Sequence, residues 1–328
     1  MIDAAIVKKI DKIIRENKKF VITTHLNPDG DALGSEVAMA EYLRYLNKTV
    51  HIVNISETPK NYSFLDENQE FIHFDKEEHE QLLRSADVFI VLDISDWGRL
   101  QDIGKIMNES QAPAICIDHH HVNYQFADVD LIREEASSTG ELLYEFLEKV
   151  KFPFTLRAAI ALYTCILTDT GSFRFSNTTS RTHLVASKLL KYDIDTKEIY
   201  SLVYEQNSPA KMALLGEALI NLHYEFEGKL AWFALTKEMF DKHHASVWDT
   251  EGFPEIPRTI EGVEVSLMFT EIDEADIKIS LRSKGRIVIN QVAQKFGGGG
   301  HHFAAGAQVE IPLNELVPQV LEELGRVM

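Results

Sequence analysis

Apolar residues recur along this chain in two rhythms. Short runs rich in Val, Ile and Phe at 20–25, 49–55, 87–93 and 114–118 read as buried strands. Between them, segments such as 3–17, with Ile6, Ile10, Ile13 and Ile14, carry apolar residues at helical spacing. Helices are likewise expected at 35–46, 78–84 and 101–109. Strand–helix alternation of this kind predicts a doubly wound, mainly parallel α/β sheet with right-handed crossovers. Amphipathic segments follow at 139–150, 156–168 and 180–190, and 195–222 reads as connecting helices. The period then changes. Runs at 222–226 and 230–235 flank Glu227-Gly228, a hairpin-like turn, and further strands are expected at 263–269, 277–281 and 307–311. With helices at 289–296 and 313–326, they predict a smaller α/β domain with a mixed sheet. The organisation expected is a first domain over 1–192, connecting helices over 193–220 and a second domain over 221–328.

Composition narrows the partners. The 328 residues carry a formal net charge of −18, which argues against broad binding of long nucleic acid. A small anionic substrate stays open, because bound cations and a few arginines invert the field locally. No apolar run has the length of a membrane span, and the N-terminus lacks the order of a signal peptide. Cys116 and Cys165 lie in an expected strand and helix, as small buried hydrophobes in a reducing compartment would. A cytoplasmic protein with no membrane partner is the expectation.

The chemistry lies where apolar runs end. His25, Asp29 and Asp31 follow 21–24, Asp93 follows 88–92, and Asp118, His119 and His120 follow 114–117. Ligands of parallel sheets bind at the strands' carboxyl ends. Pro28 and Gly30 force a tight loop that points alternate carboxylates to one side, and Gly34-Ser35 is expected to open a helix facing a phosphate. A turn that merely caps a helix, with Ser35 as N-cap, is the competing reading. Neighbouring residues on a strand point opposite ways, so His119 is read as ligand and His120 as a substrate-facing donor; His121 is left to solvent. Asp169 falls at the C-terminal end of an apolar helix, where the macrodipole opposes a carboxylate unless a cation compensates. The candidate ligands are therefore His25, Asp29, Asp31, Asp93, His119 and Asp169. Four carboxylates and two imidazoles suit a pair of divalent ions such as Mn²⁺, with Mg²⁺ or Co²⁺ as alternatives. Such a pair clamps the attacking and leaving oxygens of phosphoryl transfer. Asp93 is the choice for the bridging carboxylate, and Asp93, His119 and His120 for the catalytic group.

These stretches, in this order, resemble the DHH phosphoesterase superfamily, named for Asp-His-His as at 118–120. The run from Gly297 to Gly300 followed by His301-His302-Phe303-Ala304-Ala305-Gly306 is similar to the signature of that family's associated substrate-binding domain. Size and layout look like the NrnA type, oligoribonucleases of very short RNA that also convert 3′-phosphoadenosine 5′-phosphate to AMP. The resemblance implies His25, Asp29 and Asp93 on one Mn²⁺ and Asp31, Asp93, His119 and Asp169 on the other. It also implies Asp118 as the residue behind a ligand imidazole.

Substrate-binding expectations follow. Gly298, Gly299 and Gly300 allow close backbone approach and an anion-binding nest, with His301 beside it. Arg282, at a strand end with Ser283, suits bidentate phosphate binding, and the family pattern raises it above an isolated surface arginine. Arg174 and Asn177 are placed near Asp169, and Asn290 is read as a helix cap. The first domain would hold metals and scissile phosphate, and the second the far end of a short RNA or mononucleotide bisphosphate; a homodimer is also considered. Alternatives are linear or cyclic dinucleotides, pyrophosphate or polyphosphate as substrate. Membrane-bound cyclic-dinucleotide relatives carry N-terminal regions not expected here. A nucleotide-sensing module without turnover is the non-enzymatic alternative.

Overall fold

A computed structural model of the chain describes residues 2–94, 96–121 and 125–328. It forms two compact units, Met1–Gln206 and Asn207–Met328. In the first unit the elements run α1 (Ala4–Glu16), β1 (Lys19–Thr23), α2 (Gly30–Tyr45), β2 (Thr49–Asn54), β3 (Phe71–His73), α3 (Lys76–Arg84), β4 (Val88–Leu92), α4 (Gln101–Glu109), β5 (Ala114–Asp118), β6 (Val129–Ile132), α5 (Thr139–Lys149), α6 (Leu156–Asp169), α7 (Ser180–Leu189) and α8 (Thr196–Tyr204). The strands form one sheet in the order β3-β2-β1-β4-β5-β6, every pair parallel. Strand order therefore reverses between β1 and β4, and at such a reversal the loops leaving two neighbouring strands diverge and open a crevice.

Sheet residues alternate between two apolar layers. Phe20, Ile22, Ile90 and Ile117 pack with helices that include α1, α2, α5 and α6. Val21, Phe89, Val91 and Cys116 pack on the other face with α3 and α4. The amphipathic α1 buries Ile10 and Ile14 completely, each contributing roughly 1.5–3 kcal/mol. By contrast α2 is buried on nearly all sides. Its contact with α6 needs Gly34, whose added Cβ would stand 2.5 Å from Ala161 O.

Two expectations change here. The helix expected to open at Gly34-Ser35 begins at Gly30, capped by Asp29, so Gly34 serves helix packing and Ser35 is buried inside α2. The edge strands β3 and β6 were not expected from the pattern. One has three residues, and the other is interrupted by Asp130, too short or too mixed to register as apolar runs.

The second unit contains α9 (Pro209–Ile220), β7 (His223–Glu225), β8 (Leu230–Leu235), α10 (Lys237–His243), β9 (Val265–Glu271), β10 (Asp276–Ser283), α11 (Asn290–Lys295), β11 (Gly299–His301), β12 (Ala304–Glu310) and α12 (Leu313–Gly325). Its sheet runs β11-β12-β10-β9-β8-β7 and is mixed: β8 and β9 are parallel and the other pairs antiparallel. Gly297 and Gly298 close α11, their amides donating to Gln294 O and Ala293 O, and Gly299 and Gly300 continue into the edge strand β11. A Cβ on Gly298 would lie 2.1 Å from Gly306 O, and one on Gly300 2.5 Å from Ala304 O. Close strand approach therefore demands glycine at both positions.

Candidate metal centre

The crevice between β1 and β4 collects the predicted side chains of the first unit. Asp29 caps α2, with Oδ1 accepting from the amides of Asp31 and Ala32. One turn of backbone thus fixes Asp29 and places Asp31 beside it. Asp31 is 1% exposed, and both its oxygens are held from behind: Oδ2 accepts from Thr139 N at 2.7 Å and Oδ1 from Gly140 N at 2.9 Å. These are the free amides of the α5 N-terminus, a natural seat for an anion. Gly140 is required there, since a Cβ would lie 2.2 Å from Cys165 Cβ.

Asp93 follows β4 with φ 55°, a left-handed conformation uncommon outside glycine that Asp adopts more readily than most residues. Its two oxygens face two sides. Oδ2 lies 3.5 Å from His25 Nε2, and Oδ1 lies 3.7 Å from His119 Nε2 while accepting from Thr139 Oγ1 at 2.9 Å. His119 Nε2 also lies 3.8 Å from Asp31 Oδ2 and 3.5 Å from Asp169 Oδ2. His119 Nδ1 donates to Ala136 O at 3.2 Å, which leaves the lone pair on Nε2. That atom is buried and has no hydrogen-bond partner. Asp169 ends α6, and Asn177 Nδ2 steadies it through its carbonyl at 3.0 Å. Asn177 Nδ2 also lies 3.4 Å from Asp169 Oδ2.

The donor atoms form three overlapping groups, each with members within 4.8 Å of one another: His25, Asp29 and Asp93; Asp31, His119 and Asp169; and Asp93, His119 and His120. The chain bends past the end of β5 at Asp118, so strand alternation no longer separates the two imidazoles. Their rings stand 4.5 Å apart, and both reach Asp93. Asp118, expected behind a ligand imidazole, bonds His120 Nδ1 at 2.9 Å; the residue behind His119 is Ala136.

Electrostatics match an unmet demand for positive charge. Burial, reinforced by the charge of Asp93, raises Asp29 and lifts Asp31 well above the carboxylate range. Burial pushes Asp169 up to about 7 despite the His119 imidazole. Burial would also raise Asp93, but the His25 hydrogen bond and the imidazoles of His120 and His119 hold it below the usual range. For His120, burial is overcome by the Asp118 hydrogen bond and the Asp93 charge, which hold it at about 9. A buried, partnerless imidazole nitrogen beside two carboxylates that resist ionisation, Asp31 and Asp169, and a third held charged by imidazoles, Asp93, is a donor set suited to divalent cations.

Several supporting residues were not singled out in the sequence. Thr139 and Gly140 hold Asp31 and Asp93, and Ser137-Ser138 ahead of a helix was the available signal, a capping pattern. Arg99 Nη2 lies 2.7 Å from His25 Nδ1. Thr24, just before His25, donates its hydroxyl to Leu92 O, just before Asp93, and its amide to Asn54 Oδ1; Asn54 in turn donates to the fully buried Glu36. Nothing local marks that chain.

The other predicted residues are outside these three donor groups. Arg174 is exposed, with Nε donating to Gly171 O. His121 pairs with Glu134. In the second unit, Arg282 Nε donates to Glu255 at 2.6 Å, so the guanidinium already has an anion. Ser283 is buried and accepts from Gly285 N. Gly299 has open space at its Cβ position, and His301 is exposed on β11. Asn290 opens α11, where Ile289 holds the cap position.

Comparison with known proteins places these features. Residues 19–168 match the DHH family, N-terminal domain, and residues 241–328 match the DHHA1 domain. The chain is 30% identical, over 92% of its length, to the bifunctional oligoribonuclease and PAP phosphatase NrnA of Thermus thermophilus, covering 87% of that protein. The protein of the same name from Bacillus subtilis is 30% identical over 88% of both chains. Among solved structures, an exopolyphosphatase-related protein from Bacteroides fragilis has a TM-score of 0.94 at 31% identity, covering 98% of this chain and 96% of that one.

Proposed function

The chain belongs to the DHH phosphoesterase family, a family of hydrolases, and from that premise we propose that it cleaves very short oligoribonucleotides to mononucleotides and 3′-phosphoadenosine 5′-phosphate to AMP. The observation that carries the reading is His119 Nε2, buried without a partner and 3.5–3.8 Å from three carboxylates. His25, Asp29 and Asp93 would hold one divalent cation and Asp31, Asp93, His119 and Asp169 a second, with Mn²⁺ the favoured ion for this mix of oxygen and imidazole donors. Asp93 suits the shared position because its two oxygens face different imidazoles. Such cations, when bound, supply the Lewis acidity that activates water and shields phosphoryl charge.

The chain's own residues do the rest. The α5 amides fix Asp31 in one orientation, so both its oxygens are placed before substrate arrives. Asp118 holds His120 by Nδ1, which frees the opposite nitrogen to donate a proton to a phosphoryl or leaving oxygen. Before cations bind, the Asp118 hydrogen bond and the Asp93 charge raise His120 to about 9, which favours the protonated ring. In the second unit Arg282 and His301 share a row across the sheet, both in register with Ala304, and they suit the non-reacting end of a nucleotide. Among the described residues no helix is long and apolar enough to cross a membrane, and the buried free thiols Cys116 and Cys165 fit a cytoplasmic setting.

A panel with Mn²⁺ tests the assignment: dinucleotide, longer RNA, 3′-phosphoadenosine 5′-phosphate, cyclic dinucleotide, pyrophosphate and polyphosphate, ranked by kcat/KM. Dinucleotide and 3′-phosphoadenosine 5′-phosphate are expected to lead. A second reading, terminal cleavage of polyphosphate, has support from the name of the Bacteroides fragilis protein; polyphosphate at the head of the ranking would replace the first.

A further inference from the structure

The second unit contains a pair of arginines that share one carboxylate. Arg282 Nε donates to Glu255 Oε1 at 2.6 Å, and Arg258 Nη2 donates to Glu255 Oε2. Each oxygen of the carboxylate thus faces a different guanidinium. Arg258 is braced by a second bond, Nη1 to Ser283 O at 2.9 Å, and Arg282 by Nη1 to Leu281 O at 2.9 Å. The two cations therefore have anchors other than the glutamate.

Two donors near this pair are left over. Arg258 Nε is buried with no hydrogen-bond partner. Ser266 is in register with Arg282 on the neighbouring strand, so the two side chains share a face; its hydroxyl is fully buried and also lacks a partner. On the other side, Arg282 is in register with Ala304, and Ala304 with His301. The small side chain between Arg282 and His301 leaves room over the strand. This row offers more donors than one carboxylate uses, and its charge before Glu255 is counted is positive.

Glu255 is built to leave. It ends a short 3-10 turn, Phe253–Glu255, whose anchor is Phe253, 1% exposed in the core. The glutamate side chain is 41% exposed, so it can swing into solvent without moving that anchor. A partly exposed ion pair of this kind contributes little. A phosphate monoester brings more acceptor oxygens and close to two negative charges, and guanidinium bonds to it are charge-assisted and bidentate.

We infer that Glu255 is a resident stand-in for phosphate, and that a terminal phosphate group of the substrate binds to Arg258 and Arg282 by exchange with it. The inference rests on the reading above in which Arg282 contacts substrate, and adds Arg258 as a second contact and Glu255 as its internal competitor. Glu255 keeps the guanidinium pair oriented before substrate arrives. Because Glu255 must leave first, the apparent Kd equals the intrinsic Kd divided by the fraction of time the site is open.

The test is equilibrium binding of AMP, inorganic phosphate and adenosine to the full chain in EDTA, which keeps the first unit from reporting phosphate through bound cations. Glu255→Gln and Glu255→Ser are expected to bind AMP and inorganic phosphate about fivefold tighter than the parent, the scale of one partly exposed ion pair. Adenosine binding should not change. Adding Arg258→Gln to Glu255→Gln should cancel the gain. If both Glu255 variants keep the parent's melting profile yet bind AMP equally or more weakly, Glu255 merely props Arg282 and the exchange is overturned. That result, with Arg282→Gln still weakening AMP binding, removes this inference alone. An Arg282→Gln variant that binds AMP as the parent does removes the substrate contact and the inference together.

Discussion

The two charged clusters of this chain are built on opposite terms. In the first unit, Asp31 and Asp93 are about 98–99% buried and held from behind by amides, a threonine hydroxyl and imidazoles. In the second, Glu255, Arg258 and Arg282 are 41%, 25% and 31% exposed; the two arginines hold Glu255 and are themselves braced by the Ser283 and Leu281 carbonyls. Burial makes uncompensated charge costly, so Asp29, Asp31 and Asp169 resist ionisation, while the surrounding imidazoles keep Asp93 charged. Exposure makes charge cheap, which is what the inferred exchange of Glu255 for a phosphate requires. Rigidity suits the atoms that must be placed for chemistry, and exchange suits the atoms that must capture and release.

The largest effect should come from the buried cluster. Asp93→Ala or His119→Ala should lower kcat/KM in Mn²⁺ by about 10³-fold or more while leaving circular dichroism unchanged, and calorimetry should show lost Mn²⁺ binding. Full activity in either variant would dissolve the contrast between the clusters. Next is Thr139→Val, which removes the hydroxyl on Asp93; Mn²⁺ affinity should fall about 10–100-fold, the usual effect of a residue behind a ligand.

Glycines sharpen the contrast in stability. Gly140→Ala should cost about 1–3 kcal/mol by denaturant unfolding, because its methyl collides with Cys165. Gly298→Ala should cost a similar amount against Gly306 O.

Acidity separates the cation-linked part of the burial cost from the rest. Asp169 sits near 7 in the folded chain and 3.8 ordinarily; Glu36 sits near 8 against 4.5, because it is buried with only Asn54 to offset the cost. Both folded values are raised, so the folded state holds more protons and stability falls as pH rises from about 4 to 8. Mn²⁺ should remove the Asp169 share of that slope and leave the Glu36 share. Glu36→Gln should do the reverse, raising the melting temperature at pH 8 relative to the parent and not at pH 4. A slope untouched by either change would break the account of these buried acids. The smallest effect is expected at Gly299→Ala, within about 0.5 kcal/mol of the parent, since open space surrounds that Cβ position.

What the sequence determined by itself was local. Runs of Val and Ile announced β1, β2, β4 and β5 because a strand buried on both faces must be apolar throughout. Those runs also put His25, Asp93 and His119 just past strand ends. The pattern did not contain the reversal of strand order between β1 and β4, which makes those ends neighbours. It did not place the α5 amides under Asp31, bend the chain after Asp118 so that two adjacent histidines reach one carboxylate, or set Glu255 against Arg282. Each of these joins residues far apart in the chain or depends on what packs behind a turn. Periodicity reports only which face of an element is apolar, whereas the partner it meets is selected by the packing of the whole unit.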